Sequence, residues 1–270
     1  MSTVRINGGH GEGGGALLRT AVVASALTQR SVSLHSVRGA MRKPGLNAED
    51  LCLLKAVAGM VQARVEGDEL GSSDLTFEPK QAPRRLVDTL DVAQFDSGTV
   101  PGGALVIAAS LLPLLARAGG YSEVGLVGET HGGNLLSYES FERSLLPALR
   151  GFGLYAFPAL ERAGHGFGVH GRVRLEVEPS GLEGVQWRKR GELVSGGAVV
   201  CLTELRPELG ERAAAVLAPA LEARGIEGEV EVVEVSGREP GIHVTVWAEF
   251  EGGYGSGSAP GKRGVKVELV

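Results

Sequence analysis

Short alternations of apolar and polar residues take turns with longer apolar runs along this chain, and together they predict an α/β fold. Val4–Ile6 reads as a short strand, Gly15–Leu27 as a helix rich in Ala, Leu and Val, and Val32–Val37 as a strand of alternating apolar residues. A helix starting at Asn47 or Asp50 runs through Val61, and Ala63–Glu66 and Asp74–Glu78 read as strands. Leu90–Phe95 is expected as a further strand, Gly103–Ala118 as a helix, Tyr121–Val127 as a strand and Leu135–Phe152 as a helix. The succession repeats: one unit covers 1–80 and a second 85–175, alike in element order rather than in residue identity.

From Arg172 the texture changes. Arg172–Glu178 alternates like a strand and Pro179–Gly184 is a turn, with Lys189–Gly191 after it. The strand Gly197–Leu202, the helix Gly210–Arg224 and the strands Gly228–Val235 and Gly241–Phe250 then form a compact β-α-β-β module. Gly252–Gly261 reads as a Gly/Ser-rich loop and Val265–Val270 as a closing strand in need of a partner.

Composition narrows the picture. Hydrophobic residues make up 43% and charged residues 22%, values of a soluble globular protein with a true core. Gly 42 is about twice the usual share, but it is spread along the chain and marks many tight turns. A net charge of −5 argues against a general coater of polyanions, so a nucleic-acid ligand would need a local basic patch. Cys52 and Cys201 lie far apart, with neither metal-ligand spacing nor a disulfide framework, which points to a reducing compartment. Met1-Ser2-Thr3-Val4-Arg5 lacks a signal-peptide core, and the apolar run Ala104–Ala116 is short and contains Pro113. The expectation is a cytoplasmic protein with no membrane partner.

The candidate chemistry starts at Gly8-Gly9-His10-Gly11-Glu12-Gly13-Gly14-Gly15, with Arg19 one turn into the following helix. Glycines admit φ > 0 and let backbone N–H groups approach a ligand, and a helix N-terminus favours an anion. Glu12 would repel a phosphate by itself, so it suggests either a metal bridge to phosphate or a helix-capping carboxylate. The plainer alternative is a flexible turn ahead of a core helix.

A second segment raises the specificity of the first. Gly11-Glu12-Gly13-Gly14-Gly15 with Leu18-Arg19 resembles the N-terminal signature of the RNA 3′-terminal phosphate cyclases. Val37-Arg38-Gly39-Ala40-Met41-Arg42-Lys43-Pro44-Gly45-Leu46 is similar to that family's Ile-Arg-x-x-Arg-x-Lys-Pro-Gly-Leu segment. Glu69-Leu70-Gly71-Ser72 with Leu75-Thr76-Phe77, Ser97-Gly98, Leu112-Pro113 and Gly261-Lys262-Arg263 fit in the same order. The resemblance implies a large domain of repeated βαβ-type units, each a sheet with two helices, and a smaller inserted α/β domain. On this sequence 1–180 would hold two repeats and the start of a third, 181–252 the insertion, and 253–270 a return segment to an incomplete third repeat. It further implies ATP-dependent conversion of an RNA 3′-phosphate into a 2′,3′-cyclic phosphate, through a histidine–AMP intermediate and displacement of AMP by the ribose 2′-OH.

Carried onto this chain, Gly11, Glu12, Gly13, Gly14 and Gly15 would face ATP, with Glu12 on Mg²⁺. Arg19, Arg38, Arg42 and Lys43 would grip the RNA end, since arginine's planar fork suits phosphate oxygens; a solvated charged face is the ordinary alternative. Departures from the family pattern are several. Ala16 and Ala109 stand where the family has glutamine, and Met41 replaces an arginine. Ala48-Glu49-Asp50 replaces Arg-Gln-His, Thr130-His131-Gly132 replaces Thr-Asp-Asn, and His165–Arg172 lacks the Tyr-Pro-x-Gly-Gly-Gly run. The family's nucleophilic histidine would lie beyond Gly261-Lys262-Arg263, and none of the six histidines stands in that context. Scattered pocket changes favour divergence over truncation as the reason. The expected function is therefore that of an RNA 3′-terminal phosphate cyclase-like protein acting on RNA 3′ ends with ATP and Mg²⁺. The alternative is a non-catalytic RNA-end-binding or RNA-processing scaffold on the same fold.

Overall fold

The first strand, β1 (Val4–Asn7), and its neighbour β2 (Val32–His35) turn alternate side chains inward, with Val32 and Leu34 fully buried. The connecting helix α1 (Gly15–Thr28) buries Leu18, Ala21, Val22 and Ala26 and stops where Gln29 enters the left-handed region at φ 56°. The next helix, α2 (Ala48–Val61), begins at Asn47, whose Oδ1 accepts the Asp50 N–H at 2.8 Å. A hairpin of β3 (Arg64–Glu66) and β4 (Leu75–Glu78) completes a four-stranded sheet in the order β1-β2-β4-β3. The β1–β2 pair is parallel and the other two pairs are antiparallel. In this computed structural model the described residues are 3–95, 102–133, 135–165, 168–262 and 264–265.

The second unit repeats that topology. Strand β5 (Val87–Asp91) leads through a 3₁₀ turn (Val92–Gln94) to α3 (Ala104–Ala116), and β6 (Ser122–Gly128) follows. The second helical segment is α4 (Tyr138–Ser140), a π-helical turn (Phe141–Leu145) and α5 (Leu146–Gly151), ahead of β7 (Ala156–Arg162) and β8 (Gly171–Val177). Strand order is β5-β6-β8-β7, again with the first pair parallel and the rest antiparallel. Helices α1, α2 and α3 pack against one another, and one apolar core runs through both units.

A third sheet holds β9 (Leu193–Thr203), β10 (Val230–Glu234), β11 (Gly241–Phe250) and β12 (Gly253–Pro260) in the order β10-β9-β11-β12, with α6 (Pro207–Glu222) connecting β9 to β10. Its separate core centres on Val200, Leu202 and Ala213.

Three elements differ from expectation. The strand expected at Leu90–Phe95 sits earlier, at β5, because Asp91 caps a 3₁₀ turn by accepting the Ala93 N–H. Strand β7 has no counterpart in the sequence pattern. The Gly/Ser-rich stretch expected as a loop is β12, paired antiparallel with β11 from His243↔Pro260 to Phe250↔Gly253. Ser97-Gly98, Arg263 and all but Val265 of the expected Val265–Val270 strand lie outside the described residues. No helix among the described residues is long and apolar enough to cross a membrane.

Candidate functional site

The glycine run before α1 is shaped by backbone that side chains resist. Gly11 and Gly13 have φ of 62° and 57°, and a Cβ on Gly13 would lie 2.5 Å from the Ala40 Cβ. The loop therefore lies flush against the segment that follows β2. Gly15, the first residue of α1, is where the two motifs meet. A Cβ there would fall 2.5 Å from Arg19 Nη1, 2.7 Å from Asp50 Oδ1 and 3.1 Å from Arg38 Nη1.

Around that point Arg19 Nη1 donates to Glu49 Oε1 at 2.7 Å and to Asp50 Oδ1 at 3.0 Å, and Arg38 Nη1 donates to Asp50 Oδ2 at 3.4 Å. Glu49 Oε2 accepts the Gly103 N–H at 2.8 Å, directly ahead of α3. The N-terminal ends of α1, α2 and α3 thus converge on one polar cluster, with their dipoles directed at the same point. Glu49 and Asp50 occupy the anion position this arrangement creates. Burial pushes both carboxyls above their ordinary range, against the pull of Arg19 and Arg38. Arg38 also holds a left-handed backbone at φ 52°, and its Nε is buried without a hydrogen-bond partner among the described residues.

Of the residues the sequence singled out, Arg19, Arg38 and Gly15 come together with Glu49 and Asp50. Glu12, Arg42 and Lys43 are exposed. A single exposed carboxylate is compatible with a Mg²⁺ that keeps its waters and takes most other ligands from phosphate oxygens, so Glu12 fits one contact to such an ion and no more. Beside Arg19 a cleft of about 500 Å³ opens between α1 and α3. Ala16 and Ala109 both line it with Val23 and Pro113, so the two positions at which the resemblance implies glutamine leave an apolar wall here.

A second polar cluster escaped the sequence reading. His131 contacts Glu139 Oε1 through Nε2 and Thr130 Oγ1 through Nδ1, both at 2.8 Å. It stacks on His165 with ring centroids 4.8 Å apart and meets His243 edge-on at 5.2 Å. Cys201, on β9, is the cross-strand partner of His243 on β11. Burial raises the Glu139 carboxyl, but the His131 hydrogen bond and charge outweigh it and hold the group below its usual range. These residues come from four separated segments, so no local spacing announces them.

A profile of the RNA 3′-terminal phosphate cyclase family matches residues 10–249. Relatives bearing that name include the protein of Methylococcus capsulatus, 35% identical over all of this chain and 75% of the relative. Those of Gloeothece citriformis and Archaeoglobus fulgidus are each 32% identical, over 98% and 99% of this chain and 76% and 77% of the relative.

Proposed function

Because the chain belongs to the RNA 3′-terminal phosphate cyclase family, we propose that it recognises phosphorylated RNA 3′ ends at the junction of α1, α2 and α3 and serves their ATP-dependent cyclisation. The observation that carries this reading is the meeting of Arg19 and Arg38 with three helix N-termini around the buried Gly15. A terminal phosphate placed there would compete with Glu49 and Asp50 for the two guanidinium groups and would offer an acceptor to the orphaned Arg38 Nε. Arg42 and Lys43, on the surface of the same segment, would follow the RNA backbone. The cleft beside Arg19 would take the terminal nucleoside on its apolar wall. The Gly11–Gly15 loop would take the ATP phosphates, with Glu12 holding Mg²⁺, an ion that would neutralise phosphate charge during nucleotidyl transfer.

A second reading is binding of RNA ends without turnover, and the clamp of Glu49 and Asp50 on Arg19 and Arg38 favours it. Both carboxylates must yield before phosphate can use the arginines.

The test compares a short oligoribonucleotide ending in 3′-phosphate with the same sequence ending in 3′-OH, by fluorescence anisotropy and by conversion to a phosphatase-resistant end with ATP and Mg²⁺. The phosphorylated end should bind more tightly, and Arg38→Ala should weaken it about 10–100-fold, the value of one charge-assisted hydrogen bond. Conversion with ATP supports cyclisation, whereas preferential binding without conversion supports the second reading. Equal affinity for both ends removes both.

A further inference from the structure

The structure assigns a second, independent site: we propose that His131, His165 and Cys201 bind a zinc-type divalent metal ion at the joint between the second and third sheets. One potential ligand atom from each of the three lies within 4.8 Å of the others. Zinc bonds of about 2.3 Å to sulfur and 2.0–2.1 Å to nitrogen place tetrahedral ligands about 3.3–3.6 Å apart, so the three side chains must close together and His131 must release Thr130 or Glu139 to offer a ring nitrogen. A thiol with imidazoles is the donor set that selects zinc over magnesium or calcium.

The independent sign of a missing occupant is what these side chains lack. Both ring nitrogens of His165 and both of His243 are buried without a hydrogen-bond partner among the described residues. His243 is only 1% exposed, and its Nδ1 stands 4.0 Å from Glu139 Oε2, too far for a hydrogen bond. Unmet polar atoms of this kind are costly in a packed interior, and a cation satisfies imidazole lone pairs directly. Metal binding would release the Cys201 thiol proton to solvent as the S–metal bond forms. Glu139 and His243 flank the trio, where they would orient its members. His165 is the partly exposed member of the trio.

The placement gives the ion a structural task. His131 and His165 follow β6 and β7 in the second unit, whereas Cys201 and His243 sit on β9 and β11 of the third sheet. A bound metal would pin the two together.

The experiment strips the full chain with a chelator and titrates Zn²⁺ by competition with a chromophoric chelator. Co²⁺ then replaces Zn²⁺ as a spectroscopic probe. One equivalent should bind, and the Co²⁺ form should show a sulfur-to-metal charge-transfer band that Cys201→Ser abolishes. His165→Gln, which keeps a polar side chain at this partly buried position, should weaken Zn²⁺ by more than the 10–100-fold, approximately, that follows loss of a merely orienting group. Far-UV circular dichroism and an unchanged cooperative melting transition of the metal-free protein confirm that each variant is folded. No stoichiometric uptake, a Co²⁺ spectrum without the sulfur band, or equal Zn²⁺ affinity in folded His165→Gln overturns the proposal. None of these results bears on the RNA-end reading.

Discussion

At the scale of single residues, Glu49 decides how open the anion site is. It bonds both Arg19 and the N–H ahead of α3, yet burial outweighs these attractions and raises its carboxyl pKa. A raised folded-state pKa means that the folded protein holds a proton where the unfolded chain has lost it. The contribution is full below the ordinary value of 4.5 and fades as pH rises through the shifted one. Glu49→Gln imitates the protonated acid, so its thermal stability should depend less on pH between 4 and 8 and should not fall at neutral pH. A loss of more than about 2 °C, roughly 1 kcal/mol in a chain of this size, would show that the ion pair dominates. The same substitution frees Arg19 from one competitor, and the 3′-phosphorylated oligonucleotide should bind several-fold more tightly. Unchanged or weaker binding by a folded variant counts against the competition between carboxylate and phosphate.

At the scale of elements, the arginine-bearing segment is held in place by backbone. The Gly45 N–H bonds to Val37 O, the Leu46 N–H to Ser72 O, and the Gly71 N–H returns to Leu46 O. Gly45 has φ 86°, and a Cβ on it would lie 2.3 Å from Gly71 O. Gly45→Ala should therefore cost at least about 2 kcal/mol, from left-handed strain of about 1–2 kcal/mol plus a backbone clash, and should weaken phosphate binding by displacing Arg38. Gly71→Ala, at φ 80° with open space around its Cβ, should show the strain alone. Equal melting temperatures for the two variants would refute the docking argument. The same accounting explains what the sequence made legible. α1, α2 and α3 announce themselves through long apolar runs and the Asn47 cap, because burial and capping leave marks in residue type. The three misread strands, β5, β7 and β12, are all at sheet edges. Strand β5 buries only Leu90, β7 carries Pro158, and β12 reads Gly-Tyr-Gly-Ser-Gly-Ser-Ala-Pro. Pairing to a neighbour, not their own pattern, makes them strands. The site divides similarly: Arg19 and Arg38 stand in contiguous motifs, while the clamp of Glu49 and Asp50 and the histidine cluster exist only once distant segments meet.

At the scale of the whole molecule, the first two sheets share one apolar core, but the third is joined to them largely by polar contacts. Arg143 reaches Glu231 at 2.7 Å, Ser144 donates to Gly255 O at 3.1 Å, and the Ala163 N–H bonds to Ser236 O at 2.8 Å. Its helix α6 buries only Gly210, Ala213 and Leu221. Helix α3, by contrast, buries nine of its residues between the two units: Ala104, Leu105, Ile107, Ala108, Leu111, Leu112, Leu114, Leu115 and Ala116. Local opening free energy follows the apolar surface that must be exposed, so amides in 207–222 should exchange with solvent deuterium well before those in 104–116 under native conditions. Peptide-resolved hydrogen–deuterium exchange reads this directly. Comparable protection of the two helices would mean that the third sheet opens only when the whole chain unfolds, and that its polar joint carries more of the cooperativity than its small core can account for.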